Sequence, residues 1–278
     1  MVLKIKALFD DLFLLSGENL IINDSIFVKH PSVQDIWNLG DKINCDKTYS
    51  LILSNILCDP YDHMVMLDDC GIDYETVTAF DVFVLKWQQL LRTYIKNKEV
   101  FDGFNYNPLS EMIYSLNFFL NSDSFQLLKD ETKDEYYLKN PYAENYIITK
   151  GIFNYIVEFV AQINNISSKD RIKPKNKFAK QVLIEDKREE LNRLIKKKDN
   201  EPEKEKSNSF IAQYVKAACF TGENGINIFN VKKVKLYPLI MACKKHNDLM
   251  GYNFLMSAIY GGTIDSKKIK TEDFNWMS

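Results

Sequence analysis

Apolar positions along this chain recur mostly at helical spacing. The clearest run is Phe80, Phe83, Val84, Trp87, Leu90, Leu91 and Tyr94, at i, i+3, i+4, i+7, i+10, i+11 and i+14, one wide face that must be buried. Tyr49, Leu51, Ile52, Ile56 and Leu57 keep the same period until Asp59-Pro60 breaks it. Met112, Leu116 and Phe119 mark another helix, and Ile152, Ile156, Phe159, Val160 and Ile163 mark one more. Val33, Ile36, Trp37 and Leu39 lead to Gly40, a short helix with a glycine stop. Between Lys4 and Leu15 the pattern fits a helix, while Leu12 to Leu15 fits a strand equally well. Asp73, just after Gly71-Ile72, reads as an N-cap for the helix that follows.

Short extended segments interrupt these helices. Leu20 to Ile22 and Ile26 to Val28 flank Asn23-Asp24-Ser25 and read as a hairpin. Phe125 to Leu128 and Glu135 to Leu138 form a second hairpin around Asp130 to Asp134, and Tyr146 to Ile148 adds a strand. The pattern predicts a helix-dominated α+β fold, with hairpins in the N-terminal part and helices alone in the C-terminal part.

From Lys175 to Ser207 the apolar residues thin out and stop. A helix from Asn176 carries Phe178, Val182, Ile184, Leu191, Leu194 and Ile195 on a narrow seam, with charge over the rest of its surface. Lys196 to Lys206 has no apolar residue apart from Pro202 and reads as a mobile linker. The chain therefore divides into an α+β domain at 1–168, a charged helix and linker at 169–206, and a small helical domain at 207–278. In the last of these, one helix runs over Phe210 to Ala218, a second from about Pro238 to Lys245, and a third from His246 or Asn247 to Tyr260, with Gly261-Gly262 as its stop. A tail carrying Ile264, Ile269, Phe274 and Trp276 follows.

Composition narrows the function classes. The chain has 278 residues, 46% hydrophobic and 27% charged, with a net charge of -2. That balance is ordinary for a globular protein and supplies no global field for nucleic acid or an anionic membrane. No apolar run reaches the roughly eighteen residues of a membrane span, and Asp10 and Asp11 interrupt the N-terminal apolar stretch before a signal-peptide core is complete. The five cysteines are odd in number and lack C-x-x-C spacing, so reduced thiols in a cytoplasm are the simplest reading.

Candidate chemistry is sparse. Cys58, His63 and Cys70 lie among aspartates, but their spacing misses the paired knuckles of structural zinc, and Asp68-Asp69-Cys70-Gly71 lacks the alternating oxygen donors of a calcium loop. No Ser or Cys stands in a nucleophile elbow. The pairs Asp10-Asp11 and Glu189-Glu190 read as solvated faces, and Gly261-Gly262 lacks phosphate-loop spacing. No catalytic residue, cofactor or metal is therefore expected, and the chain reads as non-enzymatic. Lys169, Arg171, Lys173, Lys175, Lys177 and Lys180 form the one basic cluster, with Phe178 as its only interleaved aromatic residue, which disfavours nucleic acid. Leu191, Leu194 and Ile195 on the bridge helix, together with Phe254, Tyr260 and Trp276 in the C-terminal part, are the candidate partner-binding residues.

The C-terminal run Tyr237-Pro238 to Lys244-Lys245, then Asn253-Phe254-Leu255-Met256 to Ala258-Ile259-Tyr260-Gly261-Gly262-Thr263-Ile264-Asp265, closing on Lys268-Ile269 and Asn275-Trp276, resembles the ending of tail gene-cluster proteins of long-tailed phages of Gram-positive bacteria. Pro31-Ser32-Val33-Gln34-Asp35-Ile36 before Gly40, and Gly71-Ile72-Asp73 before the helix with Phe83, are similar to the front of the same proteins. The resemblance implies a tail assembly chaperone: a non-enzymatic cytoplasmic protein that binds tape-measure and tail-tube proteins. A virion structural or adaptor role, or a nucleic-acid accessory role through residues 169–180, is the alternative.

Overall fold

The computed structural model describes residues 9–40, 45–104, 107–166, 173–200, 210–220 and 225–263. In chain order the described elements are α1 (Asp11–Ser16), β1 (Leu20–Ile21), β2 (Phe27–Val28), α2 (Val33–Trp37), α3 (Cys45–Leu57), α4 (Met64–Asp69), α5 (Ala79–Lys96), α6 (Lys98–Gly103) and α7 (Leu109–Phe119). These are followed by β3 (Gln126–Asp130), β4 (Glu135–Lys139), β5 (Ile147–Thr149), α8 (Lys150–Ile163), α9 (Lys177–Asn200), α10 (Phe210–Phe220), a 3-10 turn (Val231–Lys233) and α11 (Leu236–Tyr260). The fold is helix-dominated α+β, as the periodicity predicts.

Local chemistry sets the element ends. The open choice at Leu12 to Leu15 resolves to a helix that starts only at Asp11, because the Asp10 carboxylate accepts the Leu12 N–H at 3.1 Å and caps α1, and Lys4 to Leu8 of the expected helix lie outside the described residues. Ser32 and Asp35 close a capping box on α2, and Thr78 and Asp81 close another on α5. Asp73 is therefore not the N-cap of α5. Its side chain instead accepts the Glu75 N–H at 2.8 Å and shapes the preceding turn. In the first hairpin Leu20 faces Val28, and Asn23 Oδ1 accepts the N–H groups of Ser25 and Ile26 to hold the turn. The second sheet runs β3-β4-β5, antiparallel throughout, with Leu138 opposite both Leu127 and Ile148.

The core forms where α3, α5, α7 and α8 meet. Phe83 and Phe153 pack with tilted rings whose centroids are 4.8 Å apart, and Phe80 lies 5.2 Å from Phe153. Ile52, Ile56, Met112, Leu116, Phe119, Ile156 and Phe159 complete it, each almost fully buried. Two polar pairs lie inside: Tyr49 donates to Asn164 Oδ1 at 2.8 Å, and Asn55 donates to Ser115 at 3.2 Å. The apolar face of α5 is buried through Phe80, Val82, Phe83, Val84 and Trp87, but Leu91 is exposed, so the predicted face outruns the core at its C-terminal end.

The C-terminal helices share this core. Ile211, Leu236, Tyr237 and Ile240 belong to the same apolar cluster as Phe83 and Phe159. A satellite cluster joins Val33 of α2 to Ala218, Val231, Leu239 and Cys243. The second and third helices expected after Pro238 are one continuous helix, α11. The polar stretch Lys244 to Asp248 holds no helix breaker, and Lys245 approaches Asp248 one turn later. Pro238 does lie in its first turn, where no intrahelical N–H is needed. The charged helix α9 extends to Asn200, past the expected linker start at Lys196, because lysines are good helix formers. Residues 201–206 of that linker and the tail from Ile264 lie outside the described residues.

A knot of polar contacts ties the start of α11 to the N-terminal segment. The Leu236 N–H donates to Pro31 O at 2.9 Å, the Val33 N–H to Val234 O at 3.0 Å, and Lys235 Nζ to His30 O at 2.7 Å. His30 is fully buried, its ring edge-on to Phe159, and its Nε2 accepts the Tyr237 N–H at 3.4 Å. Gly17 passes so close that an added Cβ would stand 2.5 Å from the Lys235 side chain, at a φ of +71° that glycine tolerates.

Burial and the neighbouring Lys235 ammonium pull the His30 pKa down from 6.5 to about 4. The folded state therefore binds fewer protons than the unfolded chain between these values, so stability is full above pH 6.5 and falls as pH drops toward 4. His63, lowered to about 4 chiefly by burial, acts in the same window. Urea midpoints measured from pH 7 to pH 4.5 should fall, with His30 contributing on the order of 3 kcal/mol over its full window. The His30→Gln variant, which keeps an acceptor but binds no proton, should show a flatter slope.

Candidate functional site

Helix α9 starts under its own cap, with Asn176 Oδ1 accepting the Ala179 N–H at 2.8 Å. Its inward face is Lys180, Ile184 and Arg188, at i, i+4 and i+8. Ile184 is 4% exposed and supplies the apolar centre of the contact. Lys180 pairs with Asp73, and with Glu75 at 2.7 Å, while its ammonium lies 4.6 Å from the centre of the Tyr74 ring. Arg188 reaches Asp68 at 3.1 Å and Asp69 at 2.8 Å.

The charges answer one another. Burial acts to lower the Lys180 pKa, but hydrogen bonds to Asp73 and Glu75 outweigh it and the net shift is upward. The hydrogen bond from Lys180 holds Asp73 below the usual carboxylate range, aided by the Glu75 N–H. A cavity of about 600 Å³ lies between the first turns of α9 and the 71–75 turn, lined by Asp68, Ile72, Tyr74, Asn176 and Lys180 among others. Of its lining charges, Lys180 is matched to Asp73 and Glu75.

The same helix face continues past Arg188 to Leu191, Leu194 and Ile195, which are 39%, 51% and 59% exposed. These three sit at i, i+3 and i+4 and form one apolar edge. Phe254 and Tyr260 are 69% and 83% exposed on the C-terminal half of α11. They are six positions apart and so point to different sides of that helix. Trp276 lies outside the described residues.

The remaining sequence candidates have structural partners. The Cys58 thiol is buried, donates to Asn55 O at 3.1 Å, and is pushed up to about 12 by burial. His63 Nδ1 lies 2.8 Å from the Asp59 carbonyl, so this nitrogen carries the proton, and Cys70 is exposed. Among the described residues, no group of three His, Cys, Asp or Glu side chains is placed to hold a metal ion. Asp11 accepts from the Tyr237 hydroxyl at 3.1 Å, Glu190 pairs with Lys187, and Glu189 pairs with Arg193. Of the basic cluster, Lys180 is engaged by carboxylates, Lys173, Lys175 and Lys177 are exposed, and Lys169 and Arg171 lie outside the described residues.

Two features escape the sequence reading. The acidic seat of α9, formed by Asp68, Asp69, Asp73 and Glu75, was visible only as scattered charge. Its signal is the match between a basic i, i+4, i+8 face and a distant acidic turn. The exposed pair Ile228 and Phe229, 62% and 88% exposed, was hidden because an apolar dipeptide in a loop has no period.

The described residues thus present helical surfaces with exposed apolar ends and one ion-paired helix dock. Residues 201–278 match the family model described as the YomV second domain, a phage-associated family name. No curated protein matches the chain, and no solved structure does. Among the described residues no helix is long and apolar enough to cross a membrane.

Exposed ion pairs contribute little each, so the α9 dock rests on Ile184 and the sum of four pairings. The Lys180→Glu/Arg188→Glu variant should speed hydrogen exchange across the first half of α9 roughly tenfold while the global unfolding midpoint stays near wild type. Unchanged exchange would show that Ile184 alone holds the helix.

Proposed function

We propose that this is a non-enzymatic phage morphogenesis protein of the host cytoplasm, a tail assembly chaperone that binds tape-measure and tail-tube proteins. The observation that carries the reading is the apolar edge Leu191, Leu194 and Ile195, exposed on a helix that is otherwise seated by Ile184 and by ion pairs. Helix edges of this kind are suited to pairing with a helical partner, where a few apolar anchors supply most of the binding energy. The match of residues 201–278 to the YomV second domain supports a phage setting, and the resemblance at both ends of the chain supports the tail cluster. The pairing of Lys180 with carboxylates counts against the basic cluster as a phosphate-binding stripe, the second reading.

Co-expression with the tape-measure and tail-tube proteins of the same gene cluster tests the reading. Co-purification is expected, with at least a tenfold loss of affinity in the Leu194→Asp/Ile195→Asp variant, about 1.4 kcal/mol. The variant should keep its fold, because both side chains are exposed. Absence of co-purification, with normal tails after deletion of the gene, would overturn it.

A further inference from the structure

Residues 225–230 form a turn held by its own asparagines. Asn227 Oδ1 accepts the N–H groups of Phe229 and Asn230 at 2.9 and 3.2 Å, and Asn230 Oδ1 accepts the Asn227 N–H at 2.8 Å. Asn230 Nδ2 also donates to Gly225 O at 2.9 Å. The base of the turn is fixed in the satellite core, where Val231 is buried and Ile226 packs beside it against residues from α2, α10 and α11. Between the two asparagines stand Ile228 and Phe229, 62% and 88% exposed. Both asparagine side chains of the turn hold its shape, while Ile228 and Phe229, unlike Ile226, face water.

The chain that follows the pair is basic. From Gly225 to Asn247 the chain has five lysines and no Asp or Glu. Lys235 is engaged by His30 O, and Lys245 faces Asp248. Lys232 and Lys233 are exposed directly after the turn, and the Lys232 ammonium lies 6.0 Å from the ring centre of Trp37, itself 41% exposed.

We propose that Ile228 and Phe229 are an anchor that enters an apolar pocket of a partner protein, and that Lys232 and Lys233 meet carboxylates on the rim of that pocket. A rigid turn with outward apolar side chains has already lost the freedom that binding would otherwise remove, which favours a shaped pocket. Two lysines beside an anchor fall short of the cluster of roughly four to eight that recruits a protein to an anionic bilayer. The charge sign selects an acidic partner surface, since like charges across an interface are rejected. The assignment rests on the reading of the chain as an interaction protein, but on a surface separate from the ends of α9 and α11.

The test uses the full chain, immobilised, against a displayed library of random peptides. Enriched peptides should carry Leu, Ile, Phe, Met or Trp flanked by Asp or Glu. Synthetic copies should bind wild type at least tenfold more tightly than the Ile228→Ser/Phe229→Ser variant and several-fold more tightly than Lys232→Glu/Lys233→Glu, with binding that weakens as salt rises. Both variants should keep the wild-type circular dichroism, since all four side chains are exposed. The Leu194→Asp/Ile195→Asp variant should bind these peptides like wild type, so failure of the α9 surface is read separately.

No enrichment, or peptides that lack acidic residues or bind the anchor variant equally, would overturn the proposal. Binding to vesicles of phosphatidylcholine and phosphatidylglycerol in about equal amounts, lost in the same variants, would reassign the anchor to a membrane and overturn it too. A concentration-dependent dimer in light scattering, lost with Ile228 and Phe229, would overturn it in favour of a second copy.

Discussion

The strand-like crossing of residues 30–33 against 234–237 is the constraint on which the arrangement of the helices depends. Backbone groups on both sides satisfy each other there, and a neutral imidazole accepts the N–H of Tyr237 in the first turn of α11. That N–H is one of the orphan donors every helix start must place, and here it is placed inside the core rather than in water. The site works only while His30 is uncharged. A proton on its ring would remove the acceptor and set a cation against Lys235 and the positive end of the helix.

This junction explains why the C-terminal helices behave as part of the main body in packing terms. Leu236, Tyr237 and Ile240 join the cluster built on Phe83 and Phe159, and Leu239 and Cys243 close the satellite cluster over Val33. The first half of α11 is therefore fastened by buried apolar area. Its second half carries Phe254 and Tyr260 in water. The transition along one helix from core to open surface follows from where α1, α8 and α10 stop covering it.

Helix α9 is held by a different kind of force. One buried isoleucine and a row of exposed ion pairs seat it on α4 and the 71–75 turn. Such pairs are screened by salt and individually weak, whereas the junction is built around a buried His30. The molecule thus combines a firmly packed body with a weakly docked charged helix. The apolar edge of that helix lies C-terminal to the Arg188 ion pairs.

Much of the fold was legible in the residues alone. The long face on α5, the runs in α3 and α8, the two hairpins and the charged character of α9 follow from periodicities of 3.6 and 2 and from turn residues, which are local properties of the chain. The identity of Leu191, Leu194 and Ile195 as an apolar edge was equally local. Tertiary structure decided what spacing cannot encode: that α11 is one helix fastened at its start, that Lys180 and Arg188 meet carboxylates more than a hundred positions away, and that Asp73 shapes a turn instead of capping a helix. It also decided that Ile228 and Phe229 face water while Ile226 and Val231 face the core. The physical reason is common to all of these. Burial and pairing are set by which distant segments arrive at the same place, and period along the chain carries no record of that.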